Sequence, residues 1–280
     1  MKAAPGAVPS CIALPPSPSR CVSLGRVNLW QEAVIAAAAF AAGLINSIAG
    51  GGTLVSFPAL LWTGRDPVLA NATSTVALWP ASLAGAYGFR RELKGGGRTF
   101  LLFGAPSLVG GVLGAALLLR TPSETFARLV PFLILFATLL LAAQEPISRR
   151  LRGEDGEQRA PTRAWWAGAM FFQFLVGVYG GYFGAGIGIL MLAALGLLGF
   201  TDIHRMNALK NLLAICINGV AAVYFITSGA VIWSDVLVMT FAALAGGYSG
   251  ARLAYRLGRR FVRLVVIVIG LVMSASLFIK

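Results

Sequence analysis

Residues 46–58 read NSIAGGGTLVSFP. The apolar run VIAAAAFAAGLI precedes this stretch and ALLW follows it, so three consecutive glycines stand where a membrane helix would be continuous. Each glycine costs a helix about 1 kcal/mol relative to alanine. Gly50, Gly51 and Gly52 are adjacent and share no packing face, so the sequence predicts an interruption there. A second stretch, GGYFGAGIG at 180–188, repeats the pattern inside another apolar run. Two readings stand for it. Gly180, Gly184 and Gly188 lie four apart and could form one smooth contact face on an unbroken helix. Alternatively, this is a second break.

The composition sets the surroundings of both stretches. Of 280 residues, 58% are hydrophobic and 12% charged, about half the charge of a soluble domain. The apolar residues come in long runs, such as FLLFGAPSLVGGVLGAALLL at 100–119 and FVRLVVIVIGLVMSASLFI at 261–279. About 20 apolar residues span the hydrocarbon core as a helix, whereas a barrel would show short alternating strands. Helical segments are expected at 29–49, 53–63, 68–89, 99–119, 125–143, 164–183, 186–199, 206–228, 233–255 and 261–279. Residues 1–27 are rich in proline with no apolar core, and read as a disordered tail.

The formal net charge is +13. The bases sit in short loops between apolar runs, which sets topology and argues against nucleic acid as a partner. Cys11, Cys21 and Cys216 have neither metal nor redox spacing. The spans hold no acid/base pair, metal cluster or nucleotide-binding loop, so no enzyme and no cofactor is expected.

The two halves resemble each other. Gly50 matches Gly184 at an offset of 134, and Asn71-Ala72 matches Asn207-Ala208 at 136. GGVLGA at 110–115 matches GGYSGA at 246–251, again at 136. This points to an internal duplication, 28–143 and 164–280, joined by the polar linker 144–163. Loop 90–98 holds four bases, the linker five and 252–263 five, so all three are expected in the cytoplasm. Loop 226–235 holds none, yet it corresponds to 90–98. Equivalent loops on opposite sides mean inverted repeats. Each half then needs an odd number of crossings, so 29–63 and 164–199 must each turn back. At 1.5 Å per residue, about 35 residues give about 52 Å of helix, too little for two full crossings. The expected fold is an all-α polytopic membrane protein of about eight transmembrane segments in two inverted repeats, each with a glycine-broken first helix pair.

Broken helices inside a membrane survive only where buried in protein or lining a cavity. Half-helix N-termini there favour anions. Polar residues cluster nearby: Asn71, Thr73, Ser74 and Thr75 in the first half, and Asn207, Asn211 and Asn218 on one stripe beside Lys210 in the second. A lysine amid amide donors suits an oxyanion. The bland alternatives are interhelical glue for the amides and a snorkelling Lys210.

GLINSIAGGGTLVSFPALL followed by ANATST, and GVYGGYFGAGIGILMLAALGLLGF followed by NALKN, resemble the two half-motifs of the sulfite exporter TauE/SafE family, also called the toluene sulfonate uptake permease family. The likeness covers about residues 30–279. It implies an inner-membrane protein of about eight spans that moves sulfite, sulfonates and related anions. The motifs fall on Asn46, Ser47, Gly50, Gly51, Gly52 and Pro58, and on Gly180, Gly184, Gly186, Gly188, Asn207, Lys210 and Asn211. This chain has Ser74-Thr75 where the family often has Asn-Lys, which leaves Lys210 as the lone cation of the site.

The expected function is export of small sulfur-containing anions by alternating access. The expected binding residues are Asn46, Ser47, Gly50, Gly51, Gly52, Asn71, Thr75, Gly184, Gly186, Gly188, Asn207, Lys210 and Asn211. An inside-negative potential of 100 mV drives each negative charge outward with about 2.3 kcal/mol. The rivals are a cation-coupled importer of the same anions and a non-transporting scaffold. The expected partners are the anion and the lipid bilayer; a homo-oligomer is compatible with such a chain.

Overall fold

The computed structural model describes residues 29–48, 51–88, 97–153, 163–197, 203–257 and 259–279. Regular structure among them is helical throughout: α1 (Leu29–Ile48), α2 (Thr53–Trp62), α3 (Pro67–Gly88), α4 (Gly97–Arg120), α5 (Ser123–Gly153), α6 (Arg163–Tyr182), α7 (Ile187–Leu197), α8 (Ile203–Thr227), α9 (Trp233–Leu257) and α10 (Arg259–Ile279). The proposed tail, 1–27, lies outside the described residues. Helix α5 runs on to Gly153, beyond its apolar segment and into the polar stretch. By length and composition, Leu29–Asn46, Phe100–Arg120, Ser123–Ala143 and Ala208–Thr227 can each cross a membrane.

Local chemistry sets the helix ends. Gly64 takes a left-handed φ of 83° after α2. Pro67 opens α3, where its missing N–H is not needed. The Asp66 carboxylate then accepts from the Val68 and Leu69 N–H groups at 3.0 and 3.3 Å.

Packing places α1 against α9, α4 against α6, α3 against α8 and α9, α4 against α8, and α5 against α10. Exchanging each helix of one half for its counterpart in the other (α1 for α6, α4 for α9, and so on) maps this set onto itself. The crossings share their chemistry. On α4, a Cβ at Gly110 would strike the Phe174 carbonyl of α6, and one at Gly114 would strike the Val178 carbonyl. Reciprocally, Gly177 faces the Ser107 carbonyl and Gly181 the Gly111 carbonyl. Both numbers rise together, so α4 and α6 run parallel, backbone against backbone. The same reciprocal pattern joins α1 and α9: Gly43 meets the Ala243 carbonyl and Gly246 the Phe40 carbonyl. By contrast, α5 and α10 are antiparallel. Gly270 meets Thr138, Ser274 donates to the Pro131 carbonyl at 3.0 Å, and the Phe132 and Phe278 rings are 4.9 Å apart.

An ion pair ties the α2–α3 turn to the start of α9. Arg65 Nε lies 2.7 Å from Asp235 Oδ2 and Nη2 lies 3.0 Å from Oδ1, a two-point fork. Asp235 is 2% exposed and Arg65 29%. Arg65→Ala leaves a buried carboxylate uncompensated and is expected to cost about 3 kcal/mol. Removing both charges, as Arg65→Ala with Asp235→Ala, is expected to cost less. Thermal unfolding of the single and double variants in detergent checks the sign of that difference.

Candidate functional site at the paired helix breaks

Both glycine stretches interrupt helices. Helix α1 ends at Ile48 and α2 starts at Thr53, with Gly51 at φ 92° between them. Gly50 lies outside the described residues. A Cβ on Gly52 would collide with the Ala42 carbonyl, so its absence lets the start of α2 fold back onto α1. The second stretch breaks as well, and the continuous-helix reading of 180–188 is overturned. Helix α6 stops at Tyr182 and α7 starts at Ile187, with Gly184 and Gly186 at φ 81° and 78°. The Phe183 and Gly184 N–H groups both bond the Tyr179 carbonyl, at 2.9 and 3.3 Å, so Gly184 passes over its usual acceptor, Gly180. The Tyr179 hydroxyl straps the turn by donating to the Ala185 carbonyl at 2.9 Å. Of the α6 glycines, Gly177 and Gly181 meet the α4 backbone, and Gly180 packs on the Ile217 side chain of α8.

The left-handed geometry makes Gly184 sensitive. Gly184→Ala forces a side chain into a region that costs about 1–2 kcal/mol per non-glycine residue. On α6, by contrast, a methyl group at Gly168 would meet nothing within 4 Å. Gly168→Ala is therefore expected to be neutral or stabilising by up to about 1 kcal/mol. Unfolding temperatures of the two variants should move in opposite directions or differ clearly.

The expected binding residues divide. Asn71, 1% exposed on α3, reaches across to the second break and donates from Nδ2 to the Tyr182 carbonyl at 2.9 Å. Its Oδ1 is buried and, among the described residues, without a hydrogen-bond partner. Lys210 lies along α7: a Cβ on Gly188 would stand 3.2 Å from Lys210 Cδ. The missing side chain of Gly188 thus makes room for the lysine stem over the first turn of α7. Gly184 faces Asn218, whose Oδ1 is 3.7 Å from its Cβ position. Gly186 rests on Ala137 of α5. Asn211 is half-buried on α8.

Other members turn elsewhere. Asn46 Nδ2 donates to Ser82 Oγ at 3.4 Å, which ties α1 to α3. The Thr75 hydroxyl donates to the Asn71 carbonyl of its own helix at 2.9 Å. Gly51 lies near Leu54 and Leu141. Ser47 and Asn207 lie on α1 and α8, and their side chains are outside the described residues.

Three contributors carry weaker sequence signals. Phe57 of α2 packs edge-on against Phe183 with ring centres 5.5 Å apart, which brings α2 against the second break. Ser56 and Ser74 hydroxyls share a 2.8 Å hydrogen bond between α2 and α3. Trp79 Nε1 donates to the Ile215 carbonyl at 3.2 Å and its ring lies over Gly219, fixing α3 on α8. Ser56 and Phe57 lie within the first motif stretch, 46–58, and a tryptophan within an apolar span needs a partner for its N–H.

The chain matches the family described as "Sulfite exporter TauE/SafE" over residues 35–277. It is 30% identical over 256 residues to a probable membrane transporter protein of Escherichia coli, covering 91% of this chain and 92% of that protein. A probable membrane transporter protein of Haemophilus influenzae is 29% identical over 246 residues, covering 88% and 93%. One from Sinorhizobium is 27% identical over 241 residues, covering 86% and 89%. No solved structure matches significantly. The glycine-broken helices, the apolar spans and these matches agree: the chain is a multi-pass membrane protein and belongs to the TauE/SafE sulfite exporter family.

Proposed function

We propose that the protein is a secondary carrier of the inner membrane that exports small sulfur-containing anions, sulfite and sulfonates, by alternating access. Its two inverted repeats are 28–143 and 164–280, and the linker 144–163 is cytoplasmic. The antiparallel packing of α5 on α10 supports the inversion. These helices are counterparts of each other. Repeats related by an axis along the membrane normal would make them parallel; an axis in the membrane plane makes them antiparallel, as they are.

One observation carries the functional reading: the Lys210 stem lies over the first turn of α7, the half-helix that follows the second break. A positive side chain and the positive end of a helix dipole then act on one place, where unwound backbone offers N–H groups. That combination favours an oxyanion. Asn207 and Asn211, on the same helix as Lys210, supply further N–H donors. The scaffold reading accounts for the close-packed glycines at 43, 110, 114, 177, 181 and 246, but not for left-handed turns at both breaks.

Ligand-dependent unfolding tests the substrate class. At constant sodium, sulfite and short alkylsulfonates are expected to raise the unfolding temperature saturably, and acetate is not. A ligand at 100 times its Kd stabilises by about 2.7 kcal/mol. No response to any sulfur anion rejects the assignment. A second reading, cation-coupled movement, is favoured by the unpartnered Asn71 Oδ1.

A further inference from the structure

The C-terminal end of α6 gathers acceptors. Because the Gly184 N–H bonds the Tyr179 carbonyl, the Gly180 carbonyl loses its usual donor. That carbonyl lies 3.2 Å from the Cβ position of Gly184, and Asn218 Oδ1 lies 3.7 Å from the same point. Two residues along, the Tyr182 carbonyl accepts from Asn71 Nδ2 at 2.9 Å. That bond fixes the amide's orientation, since a carbonyl requires the NH2 group toward it. Asn71 Oδ1 is thereby held in place beside the helix end, buried and without a partner.

A buried acceptor left unpaired costs about 1–3 kcal/mol. A neighbouring hydroxyl or amide would relieve it, but the groups placed around this helix end are oxygens: the Gly180 carbonyl and Asn218 Oδ1 beside Gly184, and the Tyr182 carbonyl that the Asn71 amide itself bonds. Oxygens of this kind attract a hard cation. All of these oxygens are neutral, whereas sites for divalent ions of this hardness use carboxylates. Half-helix C-termini with unwound carbonyls hold sodium in other broken-helix carriers.

We propose that Asn71 Oδ1 and the carbonyls ending α6, completed by Asn218 Oδ1, form a site for a monovalent alkali cation at the second break. The proposal rests on reading this break as the substrate region. The cation sits at the negative end of α6, and the anion at the positive end of α7, so the two charges occupy opposite sides of one unwound turn. A bound cation offsets one charge of a dianion.

The test uses purified full-length protein in detergent with no sulfur anion present. Sodium, potassium and lithium chlorides are titrated against choline chloride at fixed ionic strength, and the unfolding temperature is read. One alkali cation is expected to raise it saturably. Asn71→Leu is expected to weaken that response at least tenfold. If Asn71→Leu does not fold, Asn218→Leu is measured instead and is expected to weaken the same response. No saturable response to any of the three cations overturns the site. So does a response that Asn71→Leu and Asn218→Leu leave intact. Cation binding without any anion response would instead retain the site and reject the sulfur-anion assignment.

Discussion

Gly181→Leu is expected to abolish stable folding. Any Cβ at this position runs into the Gly111 carbonyl of α4, and the Ala115 backbone nitrogen stands 3.0 Å from it. Backbone on the opposing side cannot swing aside as a flexible side chain would. The helices would have to separate, and with them the contacts at Gly110, Gly114 and Gly177 along the same seam. Overpacking a core with methylenes costs about 1–3 kcal/mol where neighbours can move. Here they cannot, so the loss is expected to exceed about 4 kcal/mol, in the range where single substitutions unfold a protein. Val112 on α4 is 39% exposed, and Val112→Leu is expected to stay within about 0.5 kcal/mol of the parent. Recovery of monodisperse protein in detergent, followed by thermal unfolding, separates the two. A well-folded Gly181→Leu protein would mean that α4 and α6 do not meet backbone to backbone along this seam.

Lys210→Ala is expected to reduce sulfite flux by about 10- to 100-fold while leaving the unfolding temperature nearly unchanged. The reduction corresponds to about 1.4–2.8 kcal/mol of lost anion stabilisation. The stem of Lys210 is anchored over Gly188 at the start of α7, where its charge adds to the helix dipole. Lys210→Arg keeps the charge but carries a broader head over the same narrow contact, and is expected to fall between the alanine variant and the parent. If both variants retain full flux and affinity, Lys210 is a snorkelling residue and the anion sits elsewhere.

Some of the fold and site is legible in the sequence and some is not, for physical reasons. The break at Gly50–Gly52 is legible because adjacent glycines cannot all serve one packing face. The stretch at 180–188 is ambiguous because spacing by four satisfies both a smooth helix and a break. What decides between them is backbone φ at Gly184 and Gly186, which the residue type permits but does not dictate. The family is legible from the two motifs together, which the match over 35–277 bears out. The role of Asn71 is only half visible. Its polar character stands out, but its partner is a backbone carbonyl 111 residues away, which leaves no mark on residue identity. The Arg65–Asp235 fork, across 170 residues, is invisible for the same kind of reason: the sequence places both near segment ends without saying that those ends meet. Asn46 and Thr75 look like ligands by type, yet one Asn46 amide hydrogen goes to Ser82 across to α3 and the Thr75 hydroxyl to its own helix.

The most direct measurement is radiolabelled sulfite movement in proteoliposomes at an imposed membrane potential. Efflux that saturates with internal sulfite, exceeds that of protein-free vesicles and speeds up as the interior is made more negative is expected. Each 100 mV contributes about 2.3 kcal/mol per negative charge moved. Absence of flux above protein-free vesicles, with sulfite and with every sulfonate tried, would contradict the carrier.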